Sequence, residues 1–225
     1  MHPRTQQLAV QGPVGSLQTL VDMPALEAGQ KPVGVAVIAH PHPLFGGTMD
    51  NKVVQTMARA FVQSGWMAVR FNFRGVGTSA GSYDEGRGEL QDLLAMIDHF
   101  SPAATPQGAL ALAGFSFGAF VTSHAVQALH AARTIDRVVL VGTAAGRFEV
   151  AELPKDLHAK TLVLHGEEDD TVPLVAALDW ARPQNLPLTV LPGVGHFFHG
   201  QLLLLRDLVA RHVMLPLAQE KFANL

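Results

Sequence analysis

Residues 109–120 read ALALAGFSFGAF. A small, apolar, strand-like run, Ala109 to Ala113, meets Gly114-Phe115-Ser116-Phe117-Gly118, and an apolar, helix-compatible run follows from Ala119 to about Ala132. G-x-S-x-G is a weak pattern by itself. Between a strand and a helix it is the setting of a nucleophile elbow. The chain turns so sharply there that bulk at Gly114 or Gly118 would clash with its neighbours, and glycine removes the Cβ. Ser116 would then project its Oγ from the apex, at the start of a helix whose dipole favours developing negative charge. The competing reading is a glycine-flanked serine in an ordinary turn, so the rest of the chain must supply a nucleophile's partners.

Strands and helices alternate on both sides of this stretch. Leu8 to Val10 and Leu17 to Val21, separated by Gly12-Pro13 and Gly15, read as an antiparallel hairpin. Val33 to Ala39 is a continuous apolar, β-branched run, the mark of a strand buried on both faces. It stops at His40-Pro41-His42-Pro43, which can continue neither a helix nor a central strand. Helical spacing covers Asn51 to Ser64 until Gly65 ends it. Met67 to Phe73 is a second buried strand, and a glycine-rich loop leads to a helix near Glu89–Phe100. Further buried strands are Arg137 to Val141, Thr161 to Leu164 and Leu188 to Leu191. Pro173 to Ala181 and His199 to Leu215 read as helices. The pattern predicts one α/β domain over residues 1–225: a mainly parallel sheet covered on both faces, with the hairpin at one edge. Only about twenty residues separate Val141 from Thr161, too few for a large lid domain.

A serine is a weak nucleophile without a base in hydrogen-bond reach and a third group to orient that base. In parallel α/β folds, reactive groups collect at the carboxyl ends of strands. His165-Gly166-Glu167-Glu168-Asp169-Asp170-Thr171-Val172-Pro173 follows one late strand, and Pro192-Gly193-Val194-Gly195-His196-Phe197-Phe198 follows the last. The chain order is therefore Ser116, an acid, then His196, the order of α/β-hydrolases rather than of either protease class. His196 is preferred to His199, which reads as the start of the closing helix. One oxyanion donor should be the backbone N–H after the nucleophile, that of Phe117.

HPHPLFGGTMDNK, FNFRGVGTSAG, GFSFGA, HGEEDDTVP and GVGHFFHG, spread over residues 40–200, together resemble the serine α/β-hydrolases. More narrowly, they resemble the small, lidless dienelactone-hydrolase-like proteins. The resemblance implies an acid at the fifth position of H-G-x-x-D-x-x-V-P, which is Asp169, with Asp170 as the alternative in a loop of four carboxylates. It also implies a second oxyanion donor from the backbone of Leu44, or alternatively Phe45, where Gly46 and Gly47 let the chain turn inward. No cofactor and no metal are implied. His40 and His42 could be read as a zinc site, but loop packing explains them equally well. The expected activity is hydrolysis of a small-molecule carboxylic ester through Ser116, His196 and Asp169, by way of an acyl-enzyme. Thioesterase, peptidase or cofactor-free perhydrolase chemistry would use the same groups, and a catalytically silent binding module would keep the fold alone. Dienelactone hydrolases proper use a cysteine nucleophile, which this chain lacks.

Composition sets outer limits. The formal net charge of −3 shows no basic footprint for nucleic acid. The absence of cysteine removes disulfides and thiolate sites, and it fits a reducing, cytoplasmic setting. The N-terminal residues show no apolar leader segment. No apolar run approaches the roughly 18 residues of a membrane span, and the leucines within 201–205 read as helix core. Monomer and homodimer are both compatible with the pattern. FNFRGVGTSAG lacks the features of a phosphate loop, and its Arg74 is read as a structural ion pair or a neighbour of the site.

Overall fold

A computed structural model of the chain describes residues 5–103 and 108–215; the first four residues of the leader reading lie outside them. Strands β1 (Thr5–Gly12) and β2 (Gly15–Asp22) form the hairpin, closed by Pro13-Val14. Then follow β3 (Gly34–Ala39), α1 (Lys52–Gln63), β4 (Met67–Phe71), α2 (Arg87–Phe100), β5 (Ala109–Phe115), α3 (Phe117–His130) and β6 (Arg137–Val141). The chain closes with β7 (Thr161–Gly166), α4 (Leu174–Ala181), β8 (Thr189–Leu191) and α5 (Leu202–Met214).

The sheet order is β1-β2-β4-β3-β5-β6-β7-β8. β1 and β2 pair antiparallel, as do β2 and β4, and every other pair is parallel. Side chains of the central strands alternate between two cores, as the strand period of two requires. Val35, Val37, Leu110, Leu112, Val138 and Leu140 join the α2 and α3 residues Leu93, Met96, Ile97, Val121 and Val126. Ala36, Ile38, Ala111, Ala113, Val139 and Val141 join the α1 and α5 residues Met57, Phe61, Leu205 and Val209. The alanines of β5 face the second core, which also holds Phe61 and Trp66 (small side chains on the sheet opposite large ones).

Several boundaries differ from the sequence pattern, three of them for a visible reason. β4 ends at Phe71: the Asn72 amide still reaches the Gln18 carbonyl of β2, but the Phe73 amide leaves the ladder for His40 Nε2. Pro173 caps α4 rather than opening it. α5 begins at Leu202, not His199, because Phe198 and Gly200 hold left-handed backbone angles that break a helix. Arg74 is a buried structural cation that grips Asp92 through two bonds of 3.0 and 2.8 Å.

The order β4-β3-β5 positions the site. From β3 the chain moves outward to β4 on one side and returns to β5 on the other. The carboxyl ends of β3 and β5 therefore flank a crevice at the point where strand order reverses. Ser116 follows β5 at that point, and the His40–Gly47 loop follows β3.

Candidate active site

Ser116 holds the backbone angles φ 56° and ψ −117°, a region that non-glycine residues avoid. The surroundings enforce it. The Ser116 amide donates to the Val141 carbonyl at 2.8 Å, and the Ser116 carbonyl accepts from Ala119 and Phe120. A Cβ on Gly114 would stand 2.3 Å from the Gly118 carbonyl oxygen, and one on Gly118 would stand 2.4 Å from that of Ala39. Both glycines are thus spatial requirements of the turn. At the start of α3 the Phe117 N–H has no acceptor among the described residues, so the helix dipole and one free donor both face the crevice.

His196 Nε2 lies 3.0 Å from Ser116 Oγ, and His196 Nδ1 lies 2.7 Å from Asp169 Oδ2. The pattern is self-consistent: Nδ1–H donates to the carboxylate, and Nε2 is left to accept from the hydroxyl. Two loops hold this line together. The amides of Glu167 and Glu168 donate to the Leu191 and Val194 carbonyls, and the Gly193 amide donates to Glu167 Oε2. A Cβ on Gly166 would stand 2.2 Å from the Val194 carbonyl oxygen, so that glycine lets the acid loop close onto the base loop. His196 sits mid-turn, with the Phe198 amide donating to the Gly195 carbonyl, and its ring packs 4.9 Å from that of Phe115. His199 lies outside this arrangement.

Asp169 is buried and fully engaged. Its Oδ1 accepts from the amides of Thr171 at 3.0 Å and Val172 at 2.7 Å. Burial alone would push its carboxyl up, but the bonds from His196 and Val172 outweigh it and hold the group below the ordinary carboxylate range. Asp170, the alternative acid, is exposed and accepts from the Thr171 hydroxyl instead. A second imidazole adjoins the acid: His165 Nε2 donates to the Val172 carbonyl at 2.9 Å and stands 3.5 Å from Asp169 Oδ2. Its Nδ1 is buried without a partner, and burial lowers its pKa, so the ring is neutral.

The loop after β3 is pinned by its two histidines. His40 donates through Nδ1 to the Pro41 carbonyl at 2.6 Å and accepts through Nε2 from the Phe73 amide at 3.0 Å. His42 accepts from the Leu44 amide at Nδ1, 3.2 Å, which leaves Nε2–H to meet the Tyr83 hydroxyl at 3.1 Å. All four ring nitrogens are spent on protein partners rather than aimed at a common point. The Leu44 amide, expected as an oxyanion donor, is therefore engaged by the His42 ring, and its side chain is 67% exposed. The Phe45 amide donates to the His42 carbonyl. In this loop the His42 amide is the donor without an acceptor among the described residues.

Above Ser116 opens a cavity of about 590 Å³, lined by residues of four loops. Pro41, His42, Phe45 and Asn51 form one side, Ala144, Arg147 and Phe148 another, and Thr171, His196 and Phe197 close it around Ser116 and Phe117. The Ala144–Phe148 segment went unnoticed in the sequence beyond its brevity. Its signal was positional, a charged and an aromatic residue just past the carboxyl end of a central strand.

The family model for X-Pro dipeptidyl-peptidase (S15 family) matches residues 15–145. A lid-free a/b serine hydrolase from Xanthomonas campestris, XC6422, is 36% identical with a TM-score of 0.83, over 97% of each chain. An alpha-beta serine hydrolase homologue from Coxiella burnetii is 35% identical with a TM-score of 0.75, over 95% of this chain and 98% of that one. An uncharacterised Rickettsia prowazekii protein, RP471, is 40% identical over 92 residues, which span 41% of this chain and 39% of that relative. The chain belongs to the lidless α/β serine hydrolases, within the family described by the S15 model.

Proposed function

We propose that the protein hydrolyses carboxylic esters of small to medium acyl groups through Ser116, His196 and Asp169. The unbroken line Asp169–His196–Ser116, with bonds of 2.7 and 3.0 Å at the floor of an open cavity, carries this reading. His196 Nε2 takes the hydroxyl proton as Ser116 Oγ bonds to the carbonyl carbon. Negative charge on the carbonyl oxygen falls where the Phe117 N–H is free to donate, at the positive end of α3. The second donor must come from the His42–Phe45 turn. The His42 amide is open, whereas the Leu44 amide would first have to leave the His42 ring. The tetrahedral adduct collapses as His196 returns the proton to the departing alkoxide. A water then repeats the sequence on the acyl-enzyme, frees the acid and restores the serine. Asp169 fixes the imidazole tautomer and stabilises its cation.

Ester is favoured over dipeptide substrates by the cavity lining. A dipeptidyl-peptidase must hold a free ammonium group, which calls for a carboxylate. The lining contains no aspartate or glutamate, and its arginine would repel an ammonium. Intact-mass analysis after fluorophosphonate treatment tests the reading. One adduct on the wild type and none on Ser116→Ala, with ester turnover lost in step, is the expected result. A folded wild type that takes no adduct would overturn it in favour of a catalytically silent binding module.

A further inference from the structure

We infer that the substrate is an ester bearing a single carboxylate, and that Arg147 holds that carboxylate. The inference rests on the esterase reading above and adds a charge requirement to it. Arg147 lies in the loop after β6 and lines the cavity that contains Ser116. Arg70, Arg74, Arg87, Arg182 and Arg206 each hold a carboxylate within 4 Å, whereas Arg147 has no ion-pair or hydrogen-bond partner for its guanidinium among the described residues. The acids nearest in the chain, Glu149 and Glu152, form no ion pair with it among the described residues, and Asp170, beside the lining residue Thr171, accepts from the Thr171 hydroxyl.

No lysine, aspartate or glutamate lines the cavity, so Arg147 is its one fixed charge among the described residues. His42, across the cavity, is kept neutral by burial and by the nearby positive charge of Arg147 itself. The surrounding wall is aromatic: Phe45, Phe117, Phe148 and Phe197. Such a wall offers apolar contact to the rest of the substrate and leaves the guanidinium as the one group there that can hold a charge. One planar guanidinium matches one carboxylate through paired N–H···O bonds. A phosphate dianion would call for a second cation, which the lining lacks.

Matched substrate pairs test this. One pair places the charge on the acyl side, the mono-4-nitrophenyl ester of adipic acid against 4-nitrophenyl hexanoate. The other places it on the alcohol side, 4-acetoxybenzoate against phenyl acetate. In one pair the anionic member should be favoured in kcat/KM by about tenfold or more, the usual scale of a charge-assisted bond. The preference should fall in 0.5 M salt through screening. The readout is the ratio of kcat/KM for the anionic and neutral members within each variant: Arg147→Gln should bring it to about one, and Arg147→Glu should invert it. Absence of preference in both pairs, or a preference that survives Arg147→Gln, would overturn the inference. If neutral esters are still cleaved and Ser116 still labelled, the esterase reading stands and only the charge requirement falls. Hydrolysis that persists in Ser116→Ala would instead remove the reading beneath it.

Discussion

The floor and the rim of the cavity are built on opposite principles. On the floor the side chains of Ser116, His196 and Asp169 are each fixed by bonds and packing. His196 is 3% exposed and bonded at both ring nitrogens, Asp169 accepts from two amides and one imidazole, and Ser116 is held in a left-handed conformation by its neighbours. On the rim, Phe45 is 80% exposed, Phe197 is 45% exposed and the Arg147 guanidinium is unpaired among the described residues. Buried groups left half-bonded would cost stability, so the floor admits few solutions. Exposed groups carry no such constraint and are free to follow a substrate. On the proposed reading, chemistry falls to groups fixed by packing and bonding, and selectivity to side chains the fold barely holds.

The sharpest way to break this contrast is on the floor. Asp169→Asn preserves shape but replaces a charged acceptor with an amide that can donate toward His196, which favours the wrong imidazole tautomer. Turnover of a neutral ester should fall by about 10⁴-fold, with KM little changed. Steady-state kinetics on folded variant protein measure it. A loss below about tenfold would mean that Asp169 is only packed beside the imidazole, and Asp170→Asn provides the comparison.

The same contrast explains what could be read from sequence. The elbow was legible because Gly114 and Gly118 are demanded by carbonyls standing where a Cβ would go, and a spatial demand leaves a fixed residue type. Likewise Asp169 and His196 follow strands, and their loops are zipped by the Glu167 and Glu168 amides, by the Gly193 amide on the Glu167 carboxylate and by the close approach at Gly166. The parallel strands announced themselves as unbroken apolar runs, because both faces are covered. The Leu44 amide was less legible, since its partner is a side chain two residues away that can accept or release it. Arg147 was not legible at all: an exposed arginine in a short loop has no periodicity, and only the three-dimensional closure of four loops puts it in one cavity with the serine.

A smaller effect separates the floor's support from its chemistry. His40 is buried, and burial lowers its pKa from 6.5 to about 4, with a partial offset from the Pro41 carbonyl. The unfolded chain therefore takes up a proton near pH 6.5 that the folded chain refuses until about pH 4. Stability from this group is complete above pH 6.5 and is lost as pH falls toward 4, by about 3 kcal/mol in all. His212 in α5 is lowered to about 4 as well and acts in the same window. Asp169, lowered rather than raised, contributes above the ordinary carboxylate range and is lost only at still lower pH. Urea unfolding at pH 7, 6 and 5 should show falling stability, with a slope that approaches two protons between pH 6 and 5, and His40→Asn should remove about one of them. A flat profile would mean that the loop after β3 opens to water and that His40 does not anchor it.

The smallest effect belongs to the rim. Phe45 stacks only partly on His42, with ring centroids 4.7 Å apart, and most of its surface meets solvent. Phe45→Ala removes cavity wall but no buried core, so unfolding free energy should change by less than about 0.5 kcal/mol. Turnover of a short acetate ester should stay within about threefold, because the groups that bond to the reacting atoms are untouched. Longer acyl chains should lose through KM, since they alone reach the missing wall. A large fall in turnover on the acetate would contradict the division between floor and rim. It would indicate that the Phe45 ring, through its contact with His42, holds the 42–45 turn in the register from which the second oxyanion donor comes.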